Sequence, residues 1–216
     1  MFETTSTESR NPNRPPPGST IKVEPIRSIT AINEIKANLS ANRRNYCLFV
    51  LGINTAFRAS ELLSIRLGQV RYLAAGDRLE VKQPKTKRSR SVTVNQTTFE
   101  SIQRLISYKE SQAVRKKDMA IVDDDAYLFT GQRGAKQLRV STFNNLVKEW
   151  CARANLKGNY GSHTLRKTWG YMQRTKQNTP LALLMRALGH ASQRQTMEYL
   201  CVQEKEIENV YTALEL

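Results

Sequence analysis

The chain contains two histidines, His163 and His190, and each stands in a segment suited to phosphate chemistry. In Gly161-Ser162-His163-Thr164-Leu165-Arg166, Ser162 is a good N-cap, which places His163 and Arg166 in the first turn of a helix. Their i, i+3 spacing puts both on one face. A helix N-terminus already favours an anion through its free N–H groups and its dipole. An imidazole and a guanidinium added there make a phosphate site with a proton-transfer group. Read alone, the segment is more simply a capped surface helix.

The second segment runs from Leu188-Gly189-His190-Ala191-Ser192 to Tyr199. Thr179-Pro180 starts a helix with proline at its first position, and Gly189 stops it. Ser192 and Gln195 form a capping box for the next helix, which carries Tyr199. His190 and Tyr199 are nine residues apart, about two and a half turns of helix. An unbroken helix would set them on nearly opposite faces, and the break at Gly189 lets them converge. Taken alone, a tyrosine there is more simply half-buried packing.

Two further segments are cationic. In Ala56-Phe57-Arg58-Ala59-Ser60-Glu61-Leu62, Ser60 can cap a helix, Arg58 lies just before its start, and Glu61 is placed to orient Arg58 by a salt bridge. The stretch Pro84-Lys85-Thr86-Lys87-Arg88-Ser89-Arg90 holds four cations in seven residues. As a projecting hairpin it suits insertion along a DNA groove. As a bare charge run it is a solvated loop.

The elements that must position these groups follow from periodicity. Apolar residues at helical spacing predict helices from about Ile29 to Leu39, Arg43 to Thr55 and Ser60 to Ile65, and from Thr97 to Val114. Further helices are predicted at Ser141–Ala154 and at about 163–176, 180–188, 193–200 and 204–214. Leu48-Phe49-Val50-Leu51 reads as deep core. Between residues 70 and 94 the period changes to two: Val70 and Tyr72, then Leu79 and Val81, then Val92 and Val94. That predicts three short antiparallel strands with a turn at Gly76-Asp77. Arg115 to Asp125 reads as a loop, and Gly131-Gln132-Arg133-Gly134 as a turn. Residues 1–24, with Pro15-Pro16-Pro17-Gly18, hold almost no large apolar groups and read as a disordered tail. No internal repeat is present. The fold class is mainly α with a small three-stranded antiparallel sheet (α+β).

Composition narrows the partner. Thirty-four Lys and Arg against 19 Asp and Glu give a formal charge of +15. Such an excess points to a polyanion, because neutralising phosphates releases condensed counterions. No run of eighteen apolar residues exists, which excludes a membrane-spanning helix. The N-terminus lacks a signal-peptide core. Cys47, Cys151 and Cys201 are odd in number and form no C-x-x-C pair. Reduced thiols, a cytoplasmic location and no metal site are the expectation.

Together and in this order, the motifs TAFRASELLSIR, PKTKRSRSVTV, HTLR and LGHASQRQTMEYL resemble the catalytic domain of the tyrosine recombinases, also called phage integrases. The resemblance covers roughly residues 28–205 and implies that fold for residues 25–216. It implies catalytic roles for Arg58, Lys85 (Lys87 being the less favoured choice), His163, Arg166, His190 and the nucleophile Tyr199. It implies DNA contacts from Lys87, Arg88 and Arg90, double-stranded DNA as partner and a homo-oligomer, a tetramer, on DNA. DNA-bending accessory proteins are compatible with it. No cofactor is implied, since the arginines stand where a metal would otherwise act and phosphodiester energy is retained in a 3′-phosphotyrosine.

Family members also carry a helical module ahead of the catalytic domain, and this sequence shows only the tail there. The expectation is a minimal member or a truncated chain, with no N-terminal core-binding domain. Ile207, Val210, Tyr211 and Leu214 form an apolar stripe on a C-terminal helix within residues 203–216. It either packs on its own domain or is exchanged with a neighbouring protomer. Rival readings are a type IB topoisomerase, with the same chemistry but only relaxation as output, and a non-catalytic DNA-binding regulator on the same scaffold.

Overall fold

A computed structural model describes residues 22–82, 89–131, 136–201 and 204–214. Among them lie nine α-helices and one two-stranded sheet. Helices α1 (Ile29–Leu39) and α2 (Arg43–Thr55) begin at Ser28 and Asn42, whose side-chain oxygens accept from Ala31 N and Asn45 N. These are ordinary N-caps. Helix α2 carries an unbroken buried run from Cys47 to Gly52, so it is enclosed on all sides. Helix α1 and two longer helices, α4 (Gln96–Lys116) and α6 (Thr164–Gln177), pack around it. Helix α5 (Val140–Arg153) adds Trp150, which meets the Phe49 ring edge-on at 5.9 Å.

Gly52 permits the closest approach in this core. A Cβ there would lie 2.5 Å from Leu165 Cδ1 and 3.0 Å from Leu165 Cβ. Leu165 directly precedes Arg166, so the glycine sets how near α6 comes to α2. Replacement of Gly52 by valine is expected to lower stability by about 1–3 kcal/mol through overpacking. Urea unfolding should show a lower midpoint at unchanged slope. An unchanged midpoint would mean that α6 yields freely.

The sheet pairs β1 (Arg78–Lys82) with β2 (Ser89–Thr93), antiparallel, with Leu79 opposite Val92 and Val81 opposite Arg90. The first of the three predicted strands, at Val70 and Tyr72, is absent. Leu67–Gln69 forms a 3₁₀ turn instead, with Val70 N and Arg71 N donating to the Leu67 carbonyl. Val70 is buried as an anchor while Tyr72 is 83% exposed. Gln69 reaches β1 through its side chain, Nε2 donating to the Glu80 carbonyl. Two alternating residues were too few to carry a strand against that local hydrogen bonding.

The predicted loop 115–125 contains the end of α4 and a second 3₁₀ turn, Met119–Val122, capped by Asp118. Gln132, Arg133 and Gly134 of the predicted turn lie outside the described residues, as do residues 1–21 of the predicted tail. Glu24, within that tail, donates its N–H to the Asn159 carbonyl, and Ile26 is fully buried with its N–H on Thr168 Oγ1.

Helices α7 (Leu181–Leu188) and α8 (Gln193–Tyr199) follow α6, with α3 (Ala59–Leu63) and α9 (Glu204–Thr212) completing the set. Pro180 is the N-cap of α7 rather than its first residue. Ala56, Leu184, Leu188 and Leu200 form a second small core, against which Trp169 and Tyr199 pack. It binds the end of α2 to the α7–α8 pair. Helix α9 is tied to α6 by the Arg174–Glu206 ion pair. Its apolar stripe is uncovered: Ile207, Val210, Tyr211 and Leu214 are all exposed.

Candidate active site

Arg166 is the centre of the site. It is 2% exposed, and its guanidinium donates from Nη1 to the Ala56 carbonyl and from Nη2 to the Leu188 carbonyl. Ala56 is the left-handed C-cap of α2, and Leu188 is the last residue of α7. Both carbonyls are the unpaired acceptors that a helix C-terminus leaves. The charge is therefore buried between two negative helix ends, which offsets part of its desolvation. Burial lowers its pKa from the ordinary guanidinium value, and Tyr199 acts in the opposite sense.

Tyr199 closes α8 beside it. The Arg166 guanidinium carbon lies 5.8 Å from the tyrosine ring centroid, and Lys167 Nζ lies 5.1 Å from it. Lys167 Nζ also donates to Cys201 Sγ at 3.3 Å. The Tyr199 hydroxyl is buried and has no well-formed hydrogen-bond partner among the described residues. Burial raises its pKa, while Arg166, through its charge and a poorly aligned hydrogen bond, and then Arg58 and Arg90 pull it down.

His190 meets Tyr199 as the break at Gly189 allows. Gly189 is left-handed, φ 63°, and the two rings stand edge-to-face with centroids 4.9 Å apart. Ser192 caps α8 by accepting from Gln195 N, but Gln195 Oε1 accepts from Ala191 N, so the box is offset by one residue. His190 Nδ1 is 3.1 Å from Thr196 Oγ1. That hydroxyl donates its single proton to the Ser192 carbonyl at 3.1 Å, which makes it an acceptor for Nδ1–H; rotated toward the ring it becomes the donor. Given to Nδ1, the proton leaves Nε2–H free to donate.

Burial lowers the His190 pKa to about 4, with Arg166, Arg58 and Arg90 adding repulsion. The ring is thus neutral at pH 7. The unfolded chain takes up this proton near the ordinary value of about 6.5. Stability due to the neutral ring is therefore full above that value and falls as pH drops toward 4. An NMR titration of the ring nitrogens should give a midpoint near 4 for His190. A midpoint at or above the ordinary value would contradict this environment.

Arg58 and Glu61 form the opposite wall. Arg58 is the N-cap residue of α3, taking the place expected for Ser60. Its backbone N–H and its Nη1 both donate to the Glu61 carboxylate, at 2.7 and 2.9 Å. Glu61 is 1% exposed, whereas the Arg58 side chain is 38% exposed, so a buried carboxylate aims a half-free guanidinium. Arg90 also reaches Glu61, at 3.5 Å, and donates to the Ala187 carbonyl. Its side chain is only 12% exposed and lies over the Phe57 ring. Arg90 is thus engaged by Glu61, the Ala187 carbonyl and Phe57 in this structure. His163 is the N-cap residue of α6, in place of Ser162, and lies toward the surface. Although one side of the ring meets solvent, partial shielding from water, then Arg166, Lys167 and Arg58, lower its pKa, which favours a neutral, proton-accepting imidazole.

The structure therefore brings Arg58, Arg166, His190 and Tyr199 together with Arg90, and sets His163 within the field of Arg58 and Arg166. Lys85, Lys87 and Arg88, between β1 and β2, lie outside the described residues. Sequence reasoning missed Thr196, Lys167 and the Ala56 and Leu188 carbonyls. Thr196 lies four residues after the Ser192 cap, a helical spacing that could have flagged it. Backbone carbonyls carry no such signal. The described residues hold no cluster of three or more metal-ligating side chains and no helix long and apolar enough to cross a membrane.

This helical scaffold with one arginine buried against a tyrosine belongs to the phage integrase family, whose pattern matches residues 25–206. Among individual relatives, the chain is 36% identical to a probable integrase/recombinase, YoeC, of Bacillus subtilis (strain 168), over 84% of this chain and 91% of that protein. It is 27% identical to the tyrosine recombinase XerC of Caldanaerobacter subterraneus subsp. tengcongensis, over 76% of this chain but 43% of that one. The crystal structure of XerA recombinase superposes with a TM-score of 0.70 at 18% identity, over 90% of this chain and 66% of that chain. XerH recombinase bound to palindromic difH substrate gives 0.66 at 21%, over 88% and 53%. These two likenesses concern the fold.

Proposed function

We propose that this chain is a site-specific DNA recombinase that cleaves and rejoins double-stranded DNA in the cytoplasm through a 3′-phosphotyrosine intermediate on Tyr199. The observation that carries this reading is the Tyr199 hydroxyl: buried, with no more than a poorly aligned hydrogen bond to Arg166, and surrounded by Arg166, Arg58 and Arg90. A buried hydroxyl left unpaired costs about 1–3 kcal/mol. A phosphate drawn in by the arginines would give it a partner.

Each residue then has a role. Arg58 and Arg166 hold the two non-bridging oxygens, which forked guanidinium groups do better than a single ammonium. Charge that builds on those oxygens in the transition state is stabilised there. His163 takes the tyrosine proton. His190 donates from Nε2 to the phosphate, in the tautomer that Thr196 can set. The Tyr199 oxygen attacks phosphorus, the bond to the 5′ oxygen breaks, and Lys85 protonates that oxygen as it leaves. Such a proton transfer is worth about 10²–10⁴ in rate. Lys87 and Arg88 contact the DNA backbone, and Arg90 holds Glu61. Attack of a 5′ hydroxyl on the phosphotyrosine reverses the steps and needs no cofactor. The exposed stripe on α9 docks on a neighbouring protomer, linking catalysis to a tetramer on DNA.

A nicked duplex built from repeats flanking the gene tests the reading. Cleavage releases a short 5′-hydroxyl fragment that diffuses away and traps the adduct. A covalent protein–DNA band that resists denaturation is expected. Its absence with the wild-type chain would sink the enzyme reading. Joining of strands from two duplexes, rather than relaxation alone, separates recombinase from topoisomerase.

A further inference from the structure

We propose that a cavity at the far end of α2 binds a small organic polyphosphate of nucleotide size, at a site separate from the strand-cleavage centre. The cavity has a volume of about 520 Å³ and lies between the start of α2, the middle and end of α4, and residues 120–131. Its size falls within the small-molecule range of about 300–1,000 Å³. It adjoins Asn42, whereas the cleavage centre adjoins Ala56. The 13 residues of α2 separate them, about 20 Å.

The lining includes Arg43, Arg44, Lys109 and Lys116 and no Asp or Glu. Among the described residues none of these four makes an ion pair. Lys109 is the telling member. It is 7% exposed, and among the described residues its ammonium has a single hydrogen bond, to the Tyr127 carbonyl at 3.2 Å. A buried ammonium is normally paired. Here the charge that acts on it is another cation: burial, and after it Arg44, push the Lys109 pKa down to about 8. Arg44 is itself fixed by Asn45 Oδ1 and the Thr130 carbonyl, so its fork is already oriented. Asn42, the N-cap of α2, also lines the space, and the positive end of that helix faces the same side.

Several fixed cations without a carboxylate select a multiply charged anion, and guanidinium forks suit phosphate geometry. The rest of the wall mixes the polar Asn38, Gln112 and Thr130 with an apolar side formed by Leu105, Tyr108 and Ile121. Leu105 is buried, and Tyr108 and Ile121 present surface to the cavity. An anion with a ring attached would use both, which is why a nucleoside polyphosphate fits better than inorganic phosphate. The ligand is bound and not consumed, so no reaction is assigned to the site.

Isothermal titration of the full chain with ATP, without magnesium and with saturating duplex DNA present, tests this. One saturable site is expected, with inorganic tripolyphosphate binding more weakly because it lacks the ring. In Lys109→Met the dissociation constant should rise at least about tenfold, while the unliganded chain stays as stable or gains, since an unpaired buried charge is replaced by an apolar group. The surface pair Arg43→Ala with Lys116→Ala should also weaken ATP and leave the fold intact. Absence of binding, equal affinity in wild type and Lys109→Met, or displacement of ATP by DNA would each overturn the proposal. Strand cleavage by Lys109→Met on the nicked substrate should be unchanged, which separates this site from the cleavage centre.

Discussion

Replacement of Tyr199 by phenylalanine is expected to abolish the covalent DNA adduct, by at least about 10⁴-fold, with duplex binding nearly unchanged. The substitution removes one oxygen and leaves the ring. That ring packs beside Leu200 in the second core, edge-to-face on His190 and near Arg166, and all of these contacts survive. The hydroxyl contributes no well-formed hydrogen bond to the unliganded fold. Its loss should therefore be neutral or slightly stabilising, since an unsatisfied buried polar group is removed. The pairing of full activity loss with undiminished melting temperature is the diagnostic result. Adduct formation by the phenylalanine variant would move the nucleophile to another side chain. A large drop in stability would mean that the hydroxyl holds the fold and is not kept free for phosphate.

Much of the site was legible because local chemistry dictates it. Gly189 is left-handed and ends α7, and Ser192 opens α8 by capping. Those two residues suffice to turn His190 toward Tyr199, as the sequence implied. Asn95 and Asn42 cap helices that periodicity had already placed to within a residue or two. What could not be read depends on contacts between distant segments. Arg166 draws its partners from Ala56 and Leu188, and a backbone carbonyl looks the same at every residue. The inward turn of Arg90, by contrast, follows from its place in a strand. In β2 it shares a face with Val92 and stands opposite buried Val81. Period-two reading of the strand would have aimed it at the interior. The missing first strand erred the other way: Val70 and Tyr72 flank the polar Arg71 at a spacing of two, yet the bond from Val70 N to the Leu67 carbonyl closes a 3₁₀ turn first.

Two arginines that share the same proposed role should separate when both are removed singly. Arg58→Ala should lose about 10²–10³-fold in adduct formation with a modest stability change. Its side chain is half-free, and Glu61 retains Arg90 and the residue-58 backbone N–H. Arg166→Ala should lose as much activity or more and also destabilise the fold by about 2–5 kcal/mol, because it strands two buried carbonyls. Those carbonyls end α2 and α7, so the joint between the helix bearing Ala56 and the pair bearing Tyr199 should loosen first. Hydrogen exchange in α7 and α8 should accelerate in Arg166→Ala but not in Arg58→Ala. Arg166→Lys discriminates further. A single ammonium cannot reach two diverging carbonyls and a phosphate together, so the lysine variant should recover part of the stability and little of the cleavage. Equal stability for the two alanine variants would show that Arg166 is held by the site without holding it together. Full cleavage by Arg166→Lys would show that charge alone, without the fork, suffices at this position.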